Sequence, residues 1–302
     1  MRYRFATAVL AATAATVVLT WSSPTAAQNA PRQPAPAASA KAPFDPHDLN
    51  GIWSRNNQGW GGGGTCAECG DRGFGNNVPP MTAEGEKLFN SYKPSYGREL
   101  GSPAAARNTQ EHVGRRRAVP PAQGTDIVNE CNPSGIPRIL LYPDPVDFLE
   151  TKDRIVQFFQ WTSQWRTIWM DGRSLPEEPD LRRWNGYSVG HWEGDTLVVN
   201  SNGFDGRSWV DHFGYPHSDE MRLQERYRRI NHDTLELNMT ITDPKIYTKP
   251  WVSDPKRFKL LPKEIISYDG WYGILEEICA PIDAVDNFKR RVMDPAGGVT
   301  PK

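Results

Sequence analysis

The chain has 302 residues, and its 35 Lys and Arg against 36 Asp and Glu give a net charge of −1. This balance offers no electrostatic basis for binding nucleic acid or an anionic membrane surface, so neither is expected as a partner. Eleven Trp, ten Tyr and eleven Phe make the chain rich in aromatic side chains. Such side chains suit the wall of a small-molecule pocket, and they equally suit the core of a β domain.

The N-terminus has the pattern of a secretory signal peptide. Arg2 and Arg4 precede an apolar run over 5–21, and small residues follow at 25–27. We therefore predict a signal peptide over 1–27, a mature protein that is periplasmic or secreted, and no membrane-spanning segment after cleavage. Residues 28–43 are rich in Pro and Ala and lack a hydrophobic pattern, which predicts a disordered linker.

The region 44–302 is predicted to form one domain, with an inserted, irregular Gly/Pro-rich region at about 56–135. A first strand is expected around Gly51-x-Trp53, before a glycine-rich loop at 59–75. The segment 81–92 is the best helix candidate, because Thr82 can cap it and acidic residues fall in its first turn.

From residue 136 onward the pattern changes to short strands separated by turn signals. Strands are predicted at 138–142, 146–151, 154–170 (a hairpin with its turn near Ser163), 187–192, 195–200, 221–230, 234–242, 259–267 and 271–279. No alternation of strands and helices appears, so a parallel sheet is not expected. The predicted fold is all-β: an antiparallel barrel, with a sandwich as the alternative architecture.

An aromatic run lies within the long predicted hairpin. Period-2 alternation over 155–169 predicts that Phe159, Trp161, Trp165 and Trp169 share one face and line a ligand cavity. Arg166, in the same run, could pair with a charge inside the barrel or bind a ligand carboxylate, and an outward-facing arginine is the alternative. His191 and Trp209 are two further candidates for contact with a ligand.

Four cysteines allow three disulfide connectivities, and an even number in an exported chain favours disulfides. Pairing Cys66 with Cys69 and Cys131 with Cys279 is the most economical of these. A haem attachment motif would need His after the second Cys of the CxxC, where this chain has Gly70. A four-Cys zinc site would need a second close pair, which the sequence lacks.

The segment 209–220 is dense in ionisable residues and lies between two predicted strands. His217 is the leading candidate for acid–base catalysis, because imidazole titrates near neutral pH, and Asp211 or Glu220 could orient it. Asp211, His212, His217 and Asp219 could instead bind a metal, but their spacing matches no strong metal motif. No metal or cofactor is therefore predicted.

Two resemblances accompany these patterns. Gly51-x-Trp53 followed by hairpins resembles the lipocalin and calycin superfamily, whose barrels hold small ligands; the large insertion after the first strand departs from that family. The segments GHWEGDTLVVNSNGF, PHSDEMRLQERYRR and TDPKIYTKPW resemble a set of exported bacterial proteins, which implies the fold and the compartment but no activity. The second resemblance suggests a shared pattern that includes Asp205, Trp209, His217, Ser218, Glu220, Glu225 and Arg226.

Three functions follow as hypotheses. The first is an exported barrel that binds a small apolar or aromatic molecule. The second is a cofactor-free lyase, isomerase or hydrolase that uses His217 with Asp211 or Glu220. The third is an envelope interaction protein that uses the glycine-rich insert. Neither a nucleophile elbow nor a phosphate-binding loop is present in the sequence.

Overall fold

A computed structural model describes residues 43–55, 73–94, 125–262, 273–276 and 279. The predicted signal peptide, nearly all of the linker and much of the inserted region lie outside these ranges. The strands that the structure describes are Gly51–Ser54 (β1), Val146–Glu150 (β2), Arg154–Phe159 (β3), Gln164–Trp169 (β4), Tyr187–Glu193 (β5), Thr196–Asn202 (β6), Arg222–Asn231 (β7), Thr234–Thr242 (β8), Trp251–Val252 (β9) and Lys256–Leu260 (β10).

Nine of these strands close into a barrel. Each strand from β1 to β8 pairs with the next, and β10 completes the circle by pairing with both β8 and β1. The short strand β9 pairs with the part of β8 that β10 leaves open. The prediction of a mostly β barrel with one short helix is therefore confirmed.

The prediction of a purely antiparallel barrel is wrong for one pair of neighbouring strands. β4 and β5 run parallel and pair only through Ile168–Ser188 and Trp169–Val189. A parallel pair cannot be joined by a tight hairpin and needs a crossover connection. Residues 170–186 form this connection, and this stretch of the sequence shows no helix or strand pattern that would have revealed a crossover.

The barrel core follows the predicted alternation most closely in β8. Leu235, Leu237, Met239 and Ile241 are all buried, as period-2 alternation predicts. The strands predicted at 259–267 and 271–279 are described only in part. β10 ends at Leu260, and the described residues 273–276 are not in a strand.

The helix (α1) spans Ala83–Ser91 and begins as predicted. The hydroxyl of Thr82 accepts a hydrogen bond of 3.1 Å from the N–H of Gly85, which satisfies one of the free donors of the first turn. A Cβ on Gly85 would lie 2.5 Å from the carbonyl oxygen of Ile246. The helix therefore packs against the segment after β8 at a distance that only glycine allows.

The strand predicted at 138–142 is wrong. Arg138–Leu141 is a 3₁₀ helix, and all four of its side chains are buried. A segment that is buried on every side has a continuous apolar sequence, and such a sequence does not distinguish a buried strand from a buried helical turn. The single charge in this run, Arg138, is paired with buried Asp126 through hydrogen bonds of 2.8 and 2.6 Å.

Candidate ligand-binding cleft

The loop that joins β6 to β7 (residues 203–221, here the β6–β7 loop) contains the ionisable segment singled out in the sequence. It lies between two strands as predicted, but residues 208–218 are all buried, so it is not an open loop at a barrel mouth. Tyr215 stacks on Phe89 of α1, and Trp209 stacks on Tyr92 just beyond it. The aromatic side chains of this loop therefore form part of the core.

His217 is held by two hydrogen bonds inside this loop. Its Nδ1 lies 2.9 Å from the carbonyl oxygen of Ser218, and its Nε2 lies 2.7 Å from Oγ of Ser208. A carbonyl can only accept, so Nδ1 carries the proton and the neutral ring accepts from the Ser208 hydroxyl at Nε2. Burial lowers the pKa of His217, which favours this neutral form.

Asp211 is buried in the same loop but forms its hydrogen bonds with backbone N–H groups rather than with His217. Its carboxylate accepts hydrogen bonds from the backbone N–H of Phe74 at 3.2 Å and of Phe213 at 2.8 Å. Burial raises the pKa of Asp211 to about 6, and the backbone donors counteract the desolvation only in part. No hydrogen bond or ion pair joins Asp211 to His217, whose ring is held by Ser208 and Ser218 instead.

Glu220 also lies apart from His217. Its side chain is half-exposed and forms an ion pair of 3.0 Å with Lys245, which also contacts Asp219 at 3.2 Å. His212 is buried with its ring edge-on to Tyr142. Within the described ranges, no three His, Cys, Asp or Glu side chains are grouped closely enough to hold a metal ion.

Arg166 points into the barrel, where it meets a carboxylate of the protein itself. Its two terminal nitrogens each lie 2.7 Å from a different oxygen of Glu225. The hydroxyl of Tyr227 and the amide oxygen of Gln157 accept two further hydrogen bonds from the same guanidinium. These contacts occupy the guanidinium with groups of the protein, and they form a closed polar network among buried side chains.

The structure does not place the four predicted aromatic residues on one face. A short 3₁₀ turn at Trp161–Ser163 separates β3 from β4, and Thr162 and Ser163 in it have positive φ angles. The alternation therefore restarts after the turn. Phe159 is buried in the core, whereas Trp165 is 65% exposed on the opposite side of the sheet.

The outward-facing tryptophans line a cleft on the outside of the barrel. Trp165 and Trp169 form one wall on β4, and the crossover together with the start of β5 forms the other, next to the short parallel contact between the two strands. The cleft has a volume of about 690 Å³. Residues that line this β4–β5 cleft also include Arg173, Ser174, Leu175, Pro176, Arg183, Trp184, Asn185, Gly186 and Tyr187.

Most of the cleft outside β4 comes from the crossover connection. Asn185 bridges the two walls, since its Nδ2 donates a 3.1 Å hydrogen bond to the carbonyl oxygen of Trp165. Gly186 has a φ of +62°, and a Cβ there would lie 2.6 Å from the carbonyl oxygen of Asn202. This glycine therefore lets the chain turn sharply from the crossover into β5.

The arginines around the cleft stack on its aromatic rings. The guanidinium of Arg173 lies 3.6 Å from the ring centre of Trp169, and that of Arg183 lies 4.3 Å from the ring centre of Tyr187. Arg207, from the β6–β7 loop, lies 4.5 Å from the ring centre of Trp184. These contacts favour the observed orientations of several cleft side chains.

Sequence reasoning missed Trp184, Tyr187 and Arg183 as site residues. Tyr187 was predicted only as the first residue of a strand, and the crossover had no assigned structure. The remaining ligand-contact candidates lie elsewhere: Trp161 packs against Tyr142 with ring centres 5.2 Å apart, Trp209 is buried beneath the guanidinium of Arg138, and His191 is exposed beside Glu193. A signal was present in Trp184-Asn185-Gly186-Tyr187, where two aromatics flank a turn dipeptide.

The cysteines divide into one pair that is described and one that is not. The sulfurs of Cys131 and Cys279 are 1.95 Å apart, which confirms the predicted pairing of these two residues. Cys66 and Cys69 lie outside the described residues, so their predicted pairing stays a prediction.

No family model, curated protein or solved structure gives a significant match to this chain. Among the residues that the structure describes, no helix has the length and apolar character needed to cross a membrane. The candidate function is therefore argued from the geometry of the site itself.

Proposed function

We propose that this protein binds a small aromatic molecule in the β4–β5 cleft. The observation that carries the proposal is the exposed indole of Trp165, which forms one wall of a concave, aromatic-lined surface. A flat ligand that covers an exposed ring in a concave site binds favourably, because contact between rings buries a large apolar area with little loss of conformational entropy.

The other walls support the same class of ligand. Trp169, Trp184 and Tyr187 add three aromatic side chains to the cleft, and each stacks against an arginine that favours its observed orientation. A site whose side chains are already ordered loses less entropy on binding than a flexible one. The volume of about 690 Å³ falls within the range of small-molecule pockets.

Binding titrations would test this proposal. Naphthoate and naphthamide serve as aromatic probes, cyclohexanecarboxylate serves as a non-aromatic probe, and calorimetry reports the affinity. At least one aromatic probe should bind, and Trp165→Ala should weaken its binding roughly tenfold. Leu149→Ala, a change at an exposed apolar residue on β2, should leave binding unchanged. The proposal fails if neither aromatic probe binds, or if Trp165→Ala has no effect.

Acid–base catalysis by His217 is a second candidate function. The contact between His217 Nε2 and the Ser208 hydroxyl supports it, because a neutral imidazole beside a hydroxyl is the arrangement that activates a serine nucleophile. Both side chains are buried, however, and neither lines the β4–β5 cleft. An activity screen against small esters, with His217→Gln as the inactive control, would test this candidate.

Export to the periplasm or the medium also belongs to the proposal, as does a lipocalin-like relationship of the barrel. The signal-peptide pattern at 1–27 supports the first, and Gly51-x-Trp53 on β1 supports the second. N-terminal sequencing of the mature protein would test export, because it should begin at Gln28 if the signal peptide is cleaved where the sequence predicts.

A further inference from the structure

Among the residues that the structure describes, the β4–β5 cleft is lined by cationic side chains and by no acidic ones. Its lining residues include Arg166, Arg173 and Arg183, while no Asp or Glu belongs to the set. Arg166 is neutralised inside the barrel by Glu225. The charge that a ligand meets in the cleft therefore depends on Arg173 and Arg183.

Arg173 is largely committed to a neighbouring carboxylate. Its Nε lies 2.9 Å from Asp171 Oδ1, and a second guanidinium nitrogen contacts the other oxygen of the same carboxylate. The other paired arginines at this end of the sheet follow the same arrangement, with Arg154 bound to Asp153 and Arg207 bound to Asp205. Each of these cations carries its own counter-ion.

Arg183 differs from them. Within the described ranges of the chain, no carboxylate lies within ion-pair distance of its guanidinium, which stacks on the ring of Tyr187. Stacking on a ring uses the face of the guanidinium and leaves its N–H edge free to donate. The most available charge in the cleft is therefore an uncompensated planar cation.

The backbone of Arg183 is also fixed. Its N–H donates to the carbonyl oxygen of Gly203, its carbonyl accepts from the N–H of Asp205, and it forms an isolated parallel bridge with Phe204. A cation that is anchored at its backbone and stacked at its head group is arranged before a ligand arrives. Arg183 lines the same cleft as Trp165, so a ligand that covers this indole could place an acidic group against the guanidinium.

Resting on the proposed function, we infer that the natural ligand of this cleft is an aromatic carboxylate, whose carboxyl group binds Arg183 while its ring covers Trp165. The planar fork of a guanidinium matches the two oxygens of a carboxylate, and such charge-assisted hydrogen bonds are about twice as strong as neutral ones. The aromatic walls of the cleft bind the ring of the ligand, and Arg183 binds its carboxylate.

A matched pair of probes separates this inference from the proposed function. Naphthoate and naphthamide have the same ring system and differ in charge at one substituent. We expect naphthoate to bind about tenfold more tightly than naphthamide, and Arg183→Gln to remove about that factor for naphthoate alone. Arg183→Lys keeps the charge without the planar fork and should give an intermediate loss.

Arg228→Gln is the control variant, because Arg228 is an exposed arginine on β7 that forms no ion pair with any residue the structure describes and lies outside the cleft. It should leave the affinity for both probes unchanged. Equal affinity of the two probes, or an equal effect of Arg183→Gln on both, would overturn the inference while the proposed function stands. Failure of both probes to bind would overturn the proposed function as well.

Discussion

Arg166 and Glu225 form a two-pronged ion pair across the inside of the barrel. Arg166 lies on β4 and Glu225 on β7, and two strands separate them in the sheet. Because the strands are not neighbours, the 2.7 Å contacts between the two side chains must span the interior. Tyr227 and Gln157 complete the network, so polar groups of the protein occupy this level of the barrel.

Replacing only one partner of this ion pair should strongly destabilise the protein. Arg166→Met leaves the Glu225 carboxylate buried without its cation, and we expect a loss of about 3–5 kcal/mol in the free energy of unfolding. The double variant Arg166→Met/Glu225→Leu removes both charges and should lose much less than the sum of the single changes. Urea denaturation of the four proteins measures this coupling, and strictly additive losses would contradict it.

Removing the hydroxyl of Ser208 should destabilise the β6–β7 loop. Ser208→Ala leaves Nε2 of His217 as a buried acceptor without its donor, which costs about 1–3 kcal/mol. Ser174→Ala, at an exposed serine of the crossover, is the matched control and should change stability little. Equal denaturation midpoints for Ser208→Ala and the wild type would show that this hydrogen bond contributes nothing.

Asp211 should give stability an unusual dependence on pH. Its folded-state pKa of about 6 lies above the ordinary 3.8, so the folded protein binds the proton more tightly than the unfolded chain. Its contribution to stability is therefore complete below pH 3.8 and is lost as the pH rises through about 6. The difference is on the order of 3 kcal/mol. In measurements of the free energy of unfolding against pH, Asp211→Asn should abolish this loss of stability between pH 3.8 and about 6. The control variant Asp195→Asn, at an exposed carboxyl, should retain it.

His217 acts in the opposite direction. Burial lowers its folded-state pKa, so the unfolded chain takes up the proton more readily, and stability is lost as the pH falls below the ordinary 6.5. In the Asp211→Asn background, unfolding free energies should therefore decline on acidification below that pH. The double variant Asp211→Asn/His217→Gln should decline less steeply, and an unchanged slope would contradict a buried neutral imidazole.

The bond between Cys131 and Cys279 should contribute strongly to stability. The two residues are 148 positions apart, and closing so long a loop restricts the unfolded chain by up to about 5 kcal/mol. Cys131→Ser/Cys279→Ser should lower the unfolding free energy by several kcal/mol in non-reducing buffer. Reducing agent should bring the wild type toward the value of the double variant, and a double variant as stable as the wild type would contradict this role.

Local patterns predicted much of the scaffold. Alternation placed Leu235 and Leu237 of β8 on the buried face, and Thr82 marked the start of the helix. Both signals act within a few residues, through the pleat of a strand and the free donors of a first helical turn. The pairing of Cys131 with Cys279 was also predicted, because it was the most economical connectivity.

The aromatic site could not be predicted in the same way. A three-residue turn after Phe159 reverses the chain, so Trp165 faces outward although the unbroken alternation placed both residues on one side. A shift of this kind moves every following side chain to the other face. The turn was predicted, but its effect on the alternation depends on its conformation.

The sequence by itself determined a mostly β fold with one capped helix, because these depend on short-range alternation, turn residues and capping, whereas closure of the sheet into a barrel depends on the pairing of β10 with β8 and β1. Only the tertiary structure decided where chemistry could occur. It buried the ionisable β6–β7 loop beneath α1, and it paired Arg166 with Glu225 across the barrel. It also separated β4 from β5, so that Trp165 and Arg183 face one cleft. These relationships join residues far apart in the chain, and their geometry depends on strand order and a parallel crossover that no local pattern specifies.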